Sequence, residues 1–362
     1  MHKGNLTAAV LLLVVLIGGS FFIFGGGSKG NPSTSKTTST TTSSTKVVEK
    51  APTTTTSTTQ APAAIVGSGY INTTVTEPNK LMCPPGFGCS TRTYTLEIYY
   101  PSQQNSSAPV LNAPFLKPNS SQGYPLIVFG IGFDTMPAQY YPLITAWVNA
   151  GYVVAAPVFP LTSSAGLQHY GVNLNDTALA DEYEDDLANE PGDMAAAITY
   201  VGQLNSSSSS FLFHGINMSE VAAAGQSDGA DATLALAYNT CCTYSPLKAA
   251  LVLSGAEYPG FPNTYFSTPA LPMLVTQGSA DTINPPQDSS AIYAAAPSPK
   301  YYLNLIGATH LEPYTAYNPY EEAVVAVSVD FLNAYLKGDT QALSAMTSAG
   351  NLQGTSQLTA SS

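Results

Sequence analysis

Charged side chains are scarce in this sequence. Asp, Glu, Lys and Arg make up 9% of its 362 residues, against roughly 25% in an ordinary soluble domain. Basic residues are the rarer kind: 11 Lys and Arg face 23 Asp and Glu, for a net charge of −12. A chain with so few cations lacks the basic footprint that nucleic acid requires, so DNA and RNA are excluded as partners. A low density of charge also limits the swing in surface charge on acidification. Cysteine and histidine are limited to four residues each. No His stands at ligand spacing from Cys83 and Cys89 or from Cys241 and Cys242, which argues against a zinc site; no metal or cofactor is expected. Cys83 and Cys89 bracket Pro-Pro-Gly-Phe-Gly, a short loop suited to closure by a disulfide. Cys241-Cys242 is a vicinal pair, read either as a strained disulfide or as two small buried groups.

What is present begins with a long apolar run. Lys3 lies in the first five residues, and Leu6 to Phe24 is almost wholly apolar. Residues 1–24 therefore read as a signal peptide or an uncleaved signal anchor, long enough to span a bilayer. Residues 25–64 are rich in Ser, Thr, Lys and Pro, with almost no large apolar side chain. Such a segment cannot bury a core and reads as a disordered linker or stalk. The expectation is a secreted or membrane-anchored extracellular protein, in a compartment that permits disulfides. Asn-x-Ser/Thr acceptor sites for glycosylation recur at Asn72, Asn105, Asn119, Asn175, Asn205 and Asn217.

From Ile65 the sequence becomes globular, with one domain expected over residues 65–340 and a polar, loosely held tail over 341–362. Thr93 to Tyr100 alternates as a strand does, and Pro125 to Gly130 is a continuous apolar run typical of a buried parallel strand. Further strands are predicted at Tyr152–Val158, from Val221, at Ala249–Leu253, at Met273–Thr276 and at Tyr301–Leu305. Helices are predicted over 138–150, 194–202, 287–295 and 321–337. Leu161 to Asn189 reads as an irregular, acidic stretch whose Asp181, Glu182, Glu184, Asp185 and Asp186 form a solvated face. Strands alternating with helices predict an α/β protein, with a doubly wound, mostly parallel sheet.

The chemistry-bearing stretch is Gly225-Gln226-Ser227-Asp228-Gly229, placed between an apolar strand and an Ala-rich helix. That context predicts a sharp strand–turn–helix elbow with the Ser227 hydroxyl exposed at its tip. A serine hydroxyl needs a base, and the base needs an orienting carboxylate. Of the four histidines, His2 lies in the export segment, His214 precedes the elbow strand at its amino end, and His169 falls in the acidic stretch. His310 follows the last predicted strand and is the expected base. Asp281, in the turn after strand 273–276, is the preferred acid, with Glu257 after the preceding strand as its rival. The backbone N–H groups of Asp228 and Phe133 are the expected oxyanion donors. Phe133 and Tyr258 are expected to contact substrate.

Together these segments resemble one group of enzymes. Phe129-Gly-Ile-Gly-Phe133, Ala150-Gly-Tyr-Val-Val154, Gly225 to Gly229, Gln277-Gly-Ser-Ala-Asp-Thr-Ile-Asn-Pro285 and Gly307-Ala-Thr-His310 occur in the order of an α/β hydrolase. The match, over about 94–337, is similar to the dienelactone hydrolases, the cutinase-like polyester hydrolases and the platelet-activating-factor acetylhydrolases. The resemblance implies an α/β-hydrolase fold and a monomeric serine esterase acting on a small-molecule or polymeric ester through an acyl-enzyme. In cutinase-like enzymes an aromatic residue at the position of Phe133 donates its N–H and flanks the ester. Two departures stand out: Asp228 replaces the usual Met, and Gly255-Ala-Glu-Tyr258 stands where a Trp is usual, the only Trp being Trp147. Other readings are a non-catalytic hydrolase-fold surface protein, for which the stalk is suited, and a peptidase or dienelactone-type hydrolase on the same fold.

Overall fold

A computed structural model describes residue 65, residues 67–267 and residues 271–361. The signal or anchor segment and the linker lie outside the described residues. Among the described residues no helix is long and apolar enough to cross a membrane.

The chain opens with two long strands, β1 (Gly67–Met82) and β2 (Ser90–Ser102), paired antiparallel around the Cys83–Cys89 loop. The short β3 (Val110–Leu111) follows, then β4 (Tyr124–Gly130), α1 (Tyr141–Asn149) and β5 (Val153–Val158). Next come α2 (Ser164–Tyr170), α3 (Thr177–Glu184), α4 (Glu190–Ser206), β6 (Ile216–Gln226) and α5 (Asp228–Tyr238). The rest is β7 (Leu247–Leu253), β8 (Met273–Gly278), α6 (Pro286–Ala295), β9 (Lys300–Leu305), α7 (Glu312–Thr315), α8 (Pro319–Leu336), α9 (Ala342–Ala349) and β10 (Ser356–Ser361).

All ten strands form one sheet in the order β10-β9-β8-β7-β6-β4-β5-β2-β1-β3. The six central strands, β9 through β5, run parallel; β10, β2 and β1 join antiparallel. The protein is thus an α/β fold with a mixed, mostly parallel sheet. Central strands carry apolar side chains at successive positions because both of their faces are covered. In β4, Leu126, Ile127, Val128 and Phe129 are wholly buried, each contributing roughly 1.5–3 kcal/mol of transfer free energy. The covering helices form two sets: α1 packs with α8, and α4 packs with α5. Trp147 of α1 is wholly buried and donates its indole N–H to Ser328 Oγ of α8 at 2.9 Å. Polar caps start the helices. Ser163 accepts from Gly166 N at 3.1 Å ahead of α2, and Asn318 accepts from Tyr320 N and Glu321 N at 2.8 and 2.9 Å ahead of α8.

Three sequence expectations are corrected. β1 was not anticipated as a strand, because its exposed positions include Asn72, Thr74, Thr76, Pro78 and Asn79 and its apolar signal is thin. The stretch from Leu161 to Asn189 is not irregular: it holds α2, α3 and a 3-10 turn over Asp185–Asn189. Nor is it all a solvated face. Asp186 is buried and pairs with the wholly buried Arg92, whose guanidinium also grips Asp193; the four N–O distances are 2.6–3.0 Å. Opposite charges fixed in this bidentate geometry offset the cost of removing them from water. The third correction concerns the C-terminus. Residues 341–361 are not a loose tail, because α9 packs on α8 and β10 completes the sheet against β9. The folded unit therefore runs past residue 340 to Ser361.

Candidate active site

The site stands at the carboxyl ends of the central strands, where open parallel sheets gather their functional groups. Ser227 ends β6 and starts α5 with φ 55° and ψ −125°, a conformation that costs a side-chain-bearing residue about 1–3 kcal/mol. Two further non-glycine residues with positive φ lie at neighbouring strand ends: Asp134 after β4 and Ser254 after β7, both at 50°. The elbow is held by Ser227 N–H donating to Leu253 O at 3.0 Å, and by Ser227 O accepting from Ala230 and Asp231. It closes only because glycines meet there. A Cβ on Gly225 would overlap Gly229 O, and one on Gly229 would overlap Gly130 O. Strand β4, the elbow and the first turn of α5 are therefore in backbone contact.

His310 and Asp281 converge on this elbow. His310 Nε2 lies 2.9 Å from Ser227 Oγ, and His310 Nδ1 lies 2.7 Å from Asp281 Oδ2. A carboxylate only accepts, so Nδ1–H donates to Asp281 and Nε2 faces the serine hydroxyl as acceptor. All three side chains are buried, at 9%, 4% and 6% exposure for Ser227, Asp281 and His310. Asp281 is fixed from behind: its Oδ1 accepts from Ile283 N and Asn284 N at 2.9 and 3.1 Å, and its Oδ2 from Gln277 Nε2 at 3.0 Å. The rival carboxylate, Glu257, is exposed and is not brought to His310. The other two described histidines lie elsewhere: His169 is edge-on to Tyr170 on α2, and His214 stacks on Phe213 ahead of β6.

Compared with protein-family models and with curated proteins, the sequence matches none. The site is therefore read from its own geometry.

The expected oxyanion loop follows β4 and lies against Ser227. A Cβ on Gly132 would sit 3.1 Å from Ser227 Cβ. Gly132 N–H donates to Tyr140 OH at 3.2 Å and Asp134 N–H to Thr162 O at 2.8 Å; among the described residues the Phe133 N–H between them carries no bond. The second expected donor, Asp228 N–H, begins α5. The Asp228 carboxyl group is buried, and its Oδ2 has no partner among the described residues. Burial, then the neighbouring Glu184, hold its pKa well above the usual carboxylate range. Asp231 and Glu190 are raised in the same way, chiefly by burial and next by Asp228.

Two side chains that the sequence reasoning did not single out tie the site together. Gln226, wholly buried, accepts from Tyr140 OH at 2.8 Å. Its Nε2–H donates to His310 O at 3.3 Å and lies 3.2 Å from His310 Nε2. Tyr140 in turn accepts from Gly132 N–H. One chain of bonds thus links the loop after β4, the elbow and His310. Gln226 stood inside the quoted motif, but nothing in the sequence marked Tyr140. The hydroxyl of Tyr258, expected at the substrate, donates to Asp185 at 2.9 Å and bridges the β7 loop to the turn after α3. Both cysteine pairs are joined, leaving no free thiol among the described residues. A hollow of about 620 Å³ lined by Tyr124, Asn217, Glu220 and Lys337 lies at the amino ends of the strands, away from this chemistry.

Proposed function

We propose that the protein is a serine carboxylic-ester hydrolase with an α/β-hydrolase fold. The observation that carries this reading is the line Ser227 Oγ, His310 Nε2, His310 Nδ1, Asp281 Oδ2, with contacts of 2.9 and 2.7 Å, on a serine held at positive φ. A surface protein that only binds has no use for a strained serine aligned with a base and its orienting acid. In the proposed reaction His310 takes the Ser227 proton as Oγ attacks the ester carbonyl. The oxyanion is met by the N–H groups of Phe133 and Asp228. His310 then protonates the leaving alcohol, and water, activated by the same imidazole, releases the acid from the acyl-enzyme. No metal or cofactor enters these steps. The proposal places the working protein outside the cell, which its two disulfide pairs suit. The test is a panel of p-nitrophenyl esters of graded acyl length given to the full chain and to Ser227→Ala. Turnover of at least one ester by the first and not by the second supports the proposal; no turnover across the panel by either rejects it.

A further inference from the structure

The hollow at the amino ends of the strands takes no part in the chemistry proposed for Ser227. Its volume, about 620 Å³, falls within the range of small-molecule sites. Four separate pieces of chain build it: the loop ahead of β4, Gly151 ahead of β5, the start of β6, and the end of α8 with the residues after it. A glycine brings two of these together. Gly123 has φ 83°, and a Cβ there would lie 2.7 Å from Ile216 C. The loop ahead of β4 therefore rests on the backbone of β6.

Strand β6 breaks its register at this point. Pro125 of β4 pairs with Asn217, but the next residue, Leu126, pairs with Val221. Met218, Ser219 and Glu220 are left out of that ladder, and bulged register of this kind re-aims side chains beside functional sites. Asn217 and Glu220, at either end of the break, both line the hollow. Asn217 Oδ1 accepts from Ser219 N–H and Oγ–H at 3.2 and 2.6 Å, so its NH₂ group points to no partner among the described residues. The side chains of Glu220, Asn119 and Gln122, which share the lining, likewise make no hydrogen bond or ion pair among the described residues. Tyr124 and Tyr335 add half-buried rings.

The charges on this lining balance. Among the described residues that form it, Lys337 is the only cation and Glu220 the only anion. The Lys337 ammonium is already engaged: it donates to Ala150 O and lies 4.0 Å from the Tyr152 ring centroid. The last carbonyls of α8 add partial negative charge. Phosphate recognition calls for several cations or a helix N-terminus, and this lining has neither. A wholly apolar ligand would strip water from the amides and the carboxylate without replacing their hydrogen bonds. The chemistry that fits is a neutral ring with hydroxyls at its edge and C–H groups on its faces. We propose that the hollow binds a neutral saccharide, with Glu220, Asn217 and Gln122 meeting its hydroxyls and Tyr124 and Tyr335 its apolar face. The inference does not rest on the esterase reading, because Ser227 stands at the opposite ends of the strands.

The test is calorimetric titration of the full chain with maltose, cellobiose, mannobiose and N,N′-diacetylchitobiose, and separately with inorganic phosphate. At least one disaccharide is expected to bind with a Kd of about 1 mM or lower, and to bind Ser227→Ala equally well. Glu220→Ala removes a charged acceptor and is expected to weaken that binding about tenfold or more. Gln122→Ala, on an exposed loop position, is expected to weaken it about threefold, and decides the matter alone if Glu220→Ala does not fold. Binding of none of the disaccharides overturns the inference, as does binding of phosphate in their place. Affinity unchanged in the deciding variant overturns it as well, and so does binding that is lost in Ser227→Ala, which would put the saccharide at the other end of the sheet.

Discussion

Replacing Glu190 with glutamine isolates the cost of keeping a carboxyl group in the interior. Glu190 is wholly buried; its Oε1 accepts from the Thr162 hydroxyl at 2.6 Å, and its Oε2 has no partner among the described residues. Burial raises its pKa well above the ordinary carboxylate range, and the acidic groups Asp228 of α5, Asp186 of the 3-10 turn and Asp193 of α4 add to that. The folded protein thus retains a proton that the unfolded chain, with Glu near about 4.3, has released. Since the folded state binds more protons, stability falls as pH rises from about 4 toward the folded pKa. While the folded group stays protonated, the cost to the wild type is about 1 kcal/mol at pH 5 and about 2 kcal/mol at pH 6. Glutamine keeps an acceptor for Thr162 and has no proton to lose; any penalty for its buried NH₂ is independent of pH. The difference in unfolding free energy between Glu190→Gln and wild type should therefore grow in the variant's favour by about 1.4 kcal/mol per pH unit in this window. Urea unfolding followed by circular dichroism at pH 4, 5, 6 and 7 reads it directly. A difference that does not change with pH would refute the reasoning, because it would mean that Glu190 binds protons equally in both states.

Other outcomes follow from the same geometry. Asp281→Asn should lower kcat about 10⁴-fold by disturbing the His310 tautomer, whereas exposed Glu257→Gln should change it by less than about threefold; steady-state kinetics separates the two. Tyr140→Phe removes the partner of Gly132 N–H and of Gln226 Oε1, so kcat should fall roughly tenfold, a fraction of the effect of deleting an oxyanion donor outright, with little change in melting temperature. Arg92→Met leaves Asp186 and Asp193 without their buried cation and should cost about 3–5 kcal/mol of stability, measured by urea unfolding at pH 7.

The parts of the fold legible in the sequence were those with local signals. Pro125 to Gly130 could be read as a buried strand because every residue is apolar or small, and Gly225 to Gly229 as an elbow because the glycines flank a serine between strand and helix patterns. Asp281 and His310 could be placed by their positions after strands. Less legible were features made by contacts distant in sequence. Arg92 meets Asp186 and Asp193 about a hundred positions away, so an acidic run looked solvated when part of it is buried. Tyr140 reaches Gln226 across 86 positions, and a tyrosine in a helix announces no such role. The polar composition of Ser356–Ser361 concealed β10, because an edge strand with exposed positions needs few apolar residues.

The central claim is that Ser227 is the nucleophile of an ester hydrolase. The most direct measurement is intact-mass analysis of the full chain after brief exposure to a p-nitrophenyl ester and, separately, to a fluorophosphonate, with peptide mapping of the adduct. One acyl and one phosphonyl group on Ser227 are expected, both absent from Ser227→Ala, whose turnover should be lower on the order of a millionfold. An adduct on another residue, or an alanine variant that keeps most of its turnover, would contradict the account.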